Sequence, residues 1–524
     1  MATKKTKAAG KEKGKKNSFL PLIIKYSVIS AVVTFFAFAI YLVAAALSVA
    51  AYKPFPGTNI SSDRIPVNED QIKILVSNSE KGNIEKELTR LFRNAETFLL
   101  IDISDFPALF SKDEKKKENF FYRALIDAKK AKPGLYTLII TDSKELYSTE
   151  KYRKLYSELL KLGIDIVFTE RDAQRDYRWI YGPAGRFAVK LIDLLPEHNW
   201  FTAPRFSKSM SDGTKVRISC REQLKVWQGK KSARNIIIAK TSSGFESITG
   251  TLNPNTQPDD LQIATLVKGG PVMPLLKSEL FIAREFLSKK GNGLSSDGET
   301  SILRHVELVM KDIHEGQASG GSRLWMEFLT EEAVGIKMEW MLAGISGGDT
   351  IDIIAGALND HEIIKLINAA NSKKCGIRII FGKNRNLFSQ PEDPNFLSAE
   401  ELYLDNKNTN KDMEIRWLEG CSTKVSLLHI FNNETGSSKI LLCSSGTNFK
   451  SLRGYNLISA IYVEGDFSGS KKLEDVFNFY WKSQDKNFYT SDYTKYAPGY
   501  FRSLYHKIIF ALKTWSGYSH EVEN

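Results

Sequence analysis

One order of helices and strands occurs twice along this chain, and it constrains the fold more than any other feature of the sequence. In its first occurrence, "GNIEKELTRLFRNA" (82–95) carries apolar residues at helical spacing, and "TFLLIDIS" (97–104) is a short apolar run of strand type. "ENFFYRALIDAKKA" (118–131) is helical again, "LYTLIITD" (135–142) is a second strand, and a helix over about 149–162 leads into "GIDIVFTE" (163–170). In the second, "TEEAVGIKMEWMLAGIS" (330–346) is a helix, "DTIDIIAG" (349–356) a strand, "DHEIIKLINAANSKK" (360–374) a helix and "GIRIIFGKN" (376–384) a strand. Strands that alternate with helices imply a mostly parallel sheet with helices on its faces. Locally "ALIDAKKAKPGLYTLII" (124–140) sits against "LINAANSKKCGIRIIFG" (366–382). Gly134 and Gly376 fall between helix and strand, where a C-cap calls for a positive φ.

Each half also ends alike. "ARNIIIAK" (233–240) precedes "ITGTLNPN" (248–255), and "STKVSLLH" (422–429) precedes "LLCSSGTNF" (441–449). Both read as a buried strand, a turn, another strand and a small-residue turn closed by an Asn, Asn253 or Asn448. A helix follows each, over 271–287 and 470–483. The loop "KGNGLSSDGET" (290–300) separates the two halves by composition. It follows no strand and lacks the Lys-Ser/Thr of a phosphate cradle. The reading is therefore α/β, two similar α-β-α halves over 71–290 and 301–490.

The N-terminus differs in kind. Residues 1–25 hold eight lysines and one acid, +7 of the chain's net +12, so the rest is nearly balanced and does not argue for a nucleic-acid surface. Residues 26–52 carry no charge at all. A bilayer crossing takes roughly 20 apolar residues, and the apolar core of a cleaved signal peptide only about 7–15. A single transmembrane helix over 26–52 is expected, with a basic cytoplasmic tail over 1–25. The lysine bias puts the C-terminal body on the extracytoplasmic side: periplasmic, extracellular or lumenal. Residues 53–70, rich in Pro, Gly, Ser and Asn, read as a linker. Residues 491–524 form a basic, aromatic tail, whose part 500–518 reads either as a helix on the membrane surface or as one docked on the body.

Cys220, Cys375, Cys421 and Cys443 show no spacing of a metal site, so no metal and no cofactor is expected. An exported body permits disulfides, and Cys421 with Cys443 could be strand neighbours; four buried thiols is the other reading. Asn59-Ile60-Ser61 and Asn433-Glu434-Thr435 fit the glycosylation acceptor pattern.

With these segments in order, the chain resembles the phospholipase D superfamily, in particular its bacterial members, over roughly 72–490. "TGTLNPN" resembles the family's first-half turn. "SSGTNFKSLRGYNLISAIYVEGD" resembles the second, and "FLTEEAVGIKM" with "GIRIIFGKN" the opening of the second half. The resemblance implies a motif His-x-Lys-(x)4-Asp in each half. One histidine attacks phosphorus and the other protonates the leaving alcohol. The lysines and the turn Asn or Ser groups hold the phosphoryl oxygens as charge develops on them.

Both motifs are degenerate. In the first half Ala233 takes the histidine position, Asn235 the lysine and Lys240 the aspartate; a shift of one residue gives Ser232, Arg234 and Ala239. In the second half Ser422 takes the histidine position, Lys424 keeps the lysine, and His429 falls on the aspartate. The glutamate that supports a histidine in the family corresponds to Ile458. Lys424, Thr447, Asn448 and Asn253 are the residues left to bind phosphate. The expected function is a membrane-anchored pseudoenzyme that binds an anionic, phosphate-containing ligand such as a phospholipid, or a protein partner, at the cell envelope. The alternative is an active phosphodiesterase, phospholipase D/cardiolipin synthase-like or nuclease-like, with a non-standard site. A cell-envelope scaffold is a third reading.

Overall fold

A computed structural model describes residues 19–50, 54, 56–77, 83–103, 120–141, 150–169, 206–209, 215–220, 232–252, 260–287, 296–311, 323–383, 393–409, 413–419, 421, 423–482 and 489–516. The chain forms two compact units, Met1–Tyr52 and Lys53–Asn524. The first contains helix α1 (Phe19–Ala50), along which large apolar side chains from Tyr26 to Val43 are exposed. Among the described residues no helix is long and apolar enough to cross a membrane. The side chains described along α1 cover only 26–41 and Val43, fewer than the roughly 20 a crossing takes.

The second unit is built on two large sheets. In chain order its strands begin with β1 (Ile65–Val67), β2 (Ile72–Val76), β3 (Phe98–Asp102), β4 (Tyr136–Thr141) and β5 (Ile164–Phe168). The short pair β6 (Phe206–Ser209) and β7 (Lys215–Ile218) stands apart. There follow β8 (Ser232–Ala233), β9 (Ile236–Thr241), β10 (Gly244–Gly250) and β11 (Ile263–Lys268). The second half supplies β12 (Leu324–Thr330), β13 (Thr350–Ala355), β14 (Gly376–Phe381), β15 (Met413–Leu418), β16 (Ser426–Asn432), β17 (Ser437–Cys443), β18 (Leu457–Gly465) and β19 (Thr490–Asp492).

The first sheet runs β2-β11-β10-β9-β3-β4-β5, and the second β1-β12-β18-β17-β16-β13-β14-β15-β19. Without the added edges β1 and β19, the second order is the first with each strand replaced by its counterpart. The pair directions agree as well. β3, β4 and β5 are mutually parallel, as are β13, β14 and β15, and the remaining neighbours within these two seven-strand sets are antiparallel. The mixed α/β architecture with two sheets thus carries the duplication that the sequence pattern indicates. Two stretches outside the repeated pattern join the second sheet. Ile65–Val67, inside the span read as a linker, pairs with β12, and Pro66 is tolerated there because β1 is an edge. Thr490–Asp492 pairs with β15.

The helices pack as the apolar spacing predicts. α2 (Ile84–Asn94), α3 (Phe120–Ala131) and α4 (Glu150–Lys161) cover the outer face of the first sheet. α5 (Met273–Leu287) and α6 (Ser296–Lys311) follow, so part of the glycine-rich stretch 290–300 is helical. α7 (Glu332–Ala343), α8 (His361–Ser372) and α9 (Pro394–Thr409) cover the outer face of the second sheet. α10 (Phe449–Leu452) is one turn; α11 (Ser468–Trp481) and α12 (Tyr500–Ser516) end the described chain. A central core between the sheets takes side chains from both, together with α5, α6 and α11. Two of these helices carry side-chain caps, though not at equivalent positions of the repeat. Asn83 accepts from the Glu85 and Lys86 amides at α2, and Asp360 accepts from Glu362 and Ile363 at α8.

The glycine expectation fails. Neither Gly134 nor Gly376 has a positive φ; in the second half the left-handed residue is Lys374, at φ 62°. Gly376 is already the first residue of β14, its amide donating to Asp349 O. The first half closes its turn with the Leu135 amide on Lys132 O. All four cysteines are free thiols, and the Cys375 thiol donates to Ser346 O.

Candidate functional site

The motif segments of both halves meet where β8 crosses from the first half to the second. β8 is too short to belong to its own sheet and instead pairs in parallel with β18, Ser232 opposite Leu457 and Ala233 opposite Ile458. Ala233 is the position at which the resemblance places the first-half histidine, and Ile458 the one at which it places a glutamate that supports a histidine in the family. The two are ladder partners, and both are buried. A methyl group and a sec-butyl group thus lie side by side on adjacent strands.

The residues beside them are committed to holding the halves together. The Asn235 side-chain amide donates to Ser444 O at 3.0 Å, from a backbone at φ 48°. Ser444 Oγ donates to Ala233 O at 2.6 Å and accepts from the Ser459 amide, while Ser459 Oγ donates to Arg234 O at 2.7 Å. Across the same junction Thr423 bridges Leu261 and donates its hydroxyl to Leu261 O at 3.0 Å.

Arg234 lies at the centre of this junction and is completely buried. Its Nε and Nη2 hold both Glu331 carboxylate oxygens at 2.8–2.9 Å. Its Nη1 donates to Glu279 Oε1 at 2.7 Å and Ser278 Oγ at 2.9 Å, and its Nη2 also donates to Gly57 O at 2.7 Å. Burial alone would depress the guanidinium's pKa, but Glu331 and Glu279 outweigh it, with a further contribution from Asp102, and raise it. Glu331 also accepts from the Asn59 amide and sits at φ 48°, a strained backbone for a side chain of its size. Arg234 therefore ties residues 57–59, α5 and the end of β12 together. The shifted register puts Arg234 at the motif lysine, but nothing local in the sequence marks it as the centre of this cluster, because its partners lie 45, 97 and 177 residues away.

In the second half Lys424 is exposed, in the turn before β16. Its backbone packs so closely on Gly356 that a Cβ there would lie 2.7 Å from the Lys424 carbonyl carbon. Thr447 and Asn448, expected to face phosphate, are used internally. The Thr447 amide donates to Ser426 Oγ at 3.0 Å and its hydroxyl to Ala357 O at 3.1 Å. The Asn448 side chain caps α10 by accepting from the Ser451 amide at 2.9 Å. Asn253 and Ser422 lie outside the described residues. Lys240 places its ammonium over the Phe245 ring, 4.7 Å from the centroid.

His429 is not at this junction. It lies three residues along β16 from Ser426, roughly 10 Å at strand rise. Leu428 and Ile430 join the outer core while Val425 and Leu427 join the central one, so His429 faces the centre. It is buried, shares a 3.1 Å hydrogen bond between Nε2 and Ser438 Oγ, and lies opposite Asp352. Arg378 grips Asp352 through two bonds of 2.8 Å, donates to Asn478 and stacks on Phe477. Burial first, and the nearby Arg378 charge second, lower the His429 pKa to about 4. It is a neutral packed histidine inside a structural polar cluster.

At the same end of the second sheet as Lys424, Lys383 follows β14 and is paired with Glu419 at 2.5 Å, its ammonium 3.9 Å from the Tyr496 ring centre. Burial pushes Glu419 up, but hydrogen bonds from Lys383, Ser491 and Tyr496 win and bring its pKa down to about 2. Among the described residues no group of three or more His, Cys, Asp or Glu side chains could hold a metal ion.

A solved structure aligns over most of the chain. The crystal structure of phosphatidylserine synthase from Haemophilus influenzae Rd KW20 aligns over 88% of this chain and 96% of that one, with a TM-score of 0.50 and 11% identity. The mixed α/β architecture with two sheets fits a phospholipase D-like fold. At that identity the likeness concerns the fold alone. Polyphosphate kinase from Porphyromonas gingivalis (10% identity, TM-score 0.41, 85% of this chain and 56% of that one) aligns more loosely. So does Nuc from Salmonella typhimurium, a phospholipase D family member (9%, TM-score 0.25, 32% and 98%). No family model and no curated protein matches the sequence.

Proposed function

We propose that the chain is a membrane-anchored phospholipase D-like pseudoenzyme: a body that binds an anionic, phosphate-containing ligand or a protein partner without turning it over. The observation that carries this reading is the direct pairing of Ala233 with Ile458. Covalent catalysis at phosphorus needs the attacking side chain, and this pair holds neither the first-half histidine nor, from the second half, the glutamate that the resemblance implies. The one histidine described in either motif, His429, is buried away from the junction and neutral, so it offers neither attack nor proton transfer there. Lys424 remains exposed and is the group through which an anion would be held. Anchoring is supported by the 27 uncharged residues 26–52, by the lysines before them and by the exposed apolar side chains of α1. On that reading the tail is cytoplasmic and the body extracytoplasmic.

The test is turnover. The full chain, purified in detergent, is given phosphatidyl substrates and single-stranded DNA. The expected result is no product above the background of a Lys424→Ala variant. Product that Lys424→Ala abolishes would establish the alternative, a working phosphodiesterase.

A further inference from the structure

Helix α12 is turned inside out relative to an ordinary docked helix. Its attachments to the body are polar or small: Ser503 donates to Glu400 on α9, and His506 is buried against Phe396. The apolar side chains at 501, 504, 505 and 508 point away from the body. Phe501, Leu504, Tyr505 and Ile508 are 84%, 45%, 55% and 49% exposed. They stand at i, i+3, i+4 and i+7, one continuous stripe on a helix. Arg502 and Lys507, both exposed, fall on the two sides of that stripe at helical spacing. Lys507 also reaches Glu400 at 3.4 Å. Tyr500, 77% exposed, extends the patch at its N-terminal end, and Leu404 on α9, one turn beyond Glu400, is exposed as well.

We infer that α12 is a membrane-surface helix whose Phe501–Leu504–Tyr505–Ile508 stripe enters the headgroup region of an anionic bilayer, with Arg502 and Lys507 reaching the phosphates. An apolar stripe flanked by basic residues is the arrangement that lies in an interface plane, the long cationic side chains keeping their charge in the headgroup layer. The charge fits an anionic surface: residues 500–518 contain Arg502, Lys507 and Lys513 and no acid. The contact belongs to the Lys53–Asn524 unit, so it is a second membrane attachment beyond the anchoring proposed for residues 26–52.

Phe501→Trp in the full chain tests it, since that side chain is exposed and the exchange costs no packing. The variant and the unmodified chain are incorporated into phosphatidylcholine vesicles with or without phosphatidylserine, with brominated acyl chains as quencher. The added indole is expected to be quenched in phosphatidylserine vesicles. Arg502→Gln and Lys507→Gln should each lower the bound-to-free ratio of the helix about fivefold. Flotation of the vesicles reads attachment of the chain separately. A chain that floats while the added indole is unquenched in both lipids overturns this inference and leaves the anchor standing. Quenching that is lost as the protein density in the vesicles rises also overturns it, because the stripe is then covered by a second copy. A chain that does not float overturns both.

Discussion

Replacing Arg234 by methionine removes the cation at the centre of the buried junction while keeping most of its volume. The wild-type side chain makes six hydrogen bonds, to Glu331, Glu279, Ser278 and Gly57, with no exposed surface. After the exchange, Glu331 and Glu279 are left in the interior without a counter-charge. Removing one partner of a buried ion pair costs about 3–5 kcal/mol. Here one cation serves two carboxylates, which points to the upper part of that range. Arg234→Lys should fall between, because an ammonium restores the charge but cannot hold Glu331 with two parallel bonds. The triple exchange Arg234→Met, Glu279→Met, Glu331→Leu should recover most of the loss, since a well-packed apolar substitute for a buried ion cluster is close to neutral. Urea unfolding of the full chain in detergent, followed by intrinsic fluorescence, measures all three. An Arg234→Met protein within about 1 kcal/mol of wild type, or a triple variant no better than the single one, would refute the view that this cluster holds the halves together.

The remaining predictions concern the second half and the junction. His429 is held near pKa 4 against 6.5 when unfolded. Between these values the unfolded chain binds the extra proton, so stability is lost as pH falls from about 6.5 to about 4, by up to about 3 kcal/mol. His429→Gln should flatten that part of the profile, seen as melting temperatures that no longer fall across the window. Gly356→Ala should cost about 1–3 kcal/mol, because the added Cβ meets the Lys424 backbone at 2.7–2.8 Å; Gly348→Ala, with nothing within 4 Å but φ 89°, separates crowding from backbone strain in the same unfolding assay. If Lys424 holds an anion, inorganic phosphate should raise the melting temperature of wild type and leave Lys424→Ala unmoved.

Much of the repeated unit is written in local patterns. The strands are apolar runs of five or six residues, and the helices carry a buried stripe between a capping Asn or Asp and a turn, so β3, β13, α2 and α8 can be read from short windows. β1 and β19 have no such pattern. Each is three residues long and is a strand only because an edge of the second sheet is open to it. Of the site, the letters show only which residue types are present, alanine rather than histidine at 233 among them. They do not show the contacts those residues make. The Ala233–Ile458 pairing spans 225 positions of sequence, and the Arg234 cluster draws on residues 57, 59, 278, 279 and 331, none of which is distinguished locally. Thr447 and Asn448 show the limit of a local turn pattern. A turn ending in Asn looks the same whether its side chain faces a ligand or, as with Asn448, caps the next helix.

The central claim is that no side chain at the junction can take up phosphorus, and covalent trapping tests it most directly. The full chain is incubated with a phosphatidyl substrate, quenched in alkali to preserve any phosphohistidine, and weighed intact by mass spectrometry. The account predicts the mass of the unmodified polypeptide at every time point. A phosphatidyl adduct that builds up and maps to a residue of the junction or to His429 would contradict it.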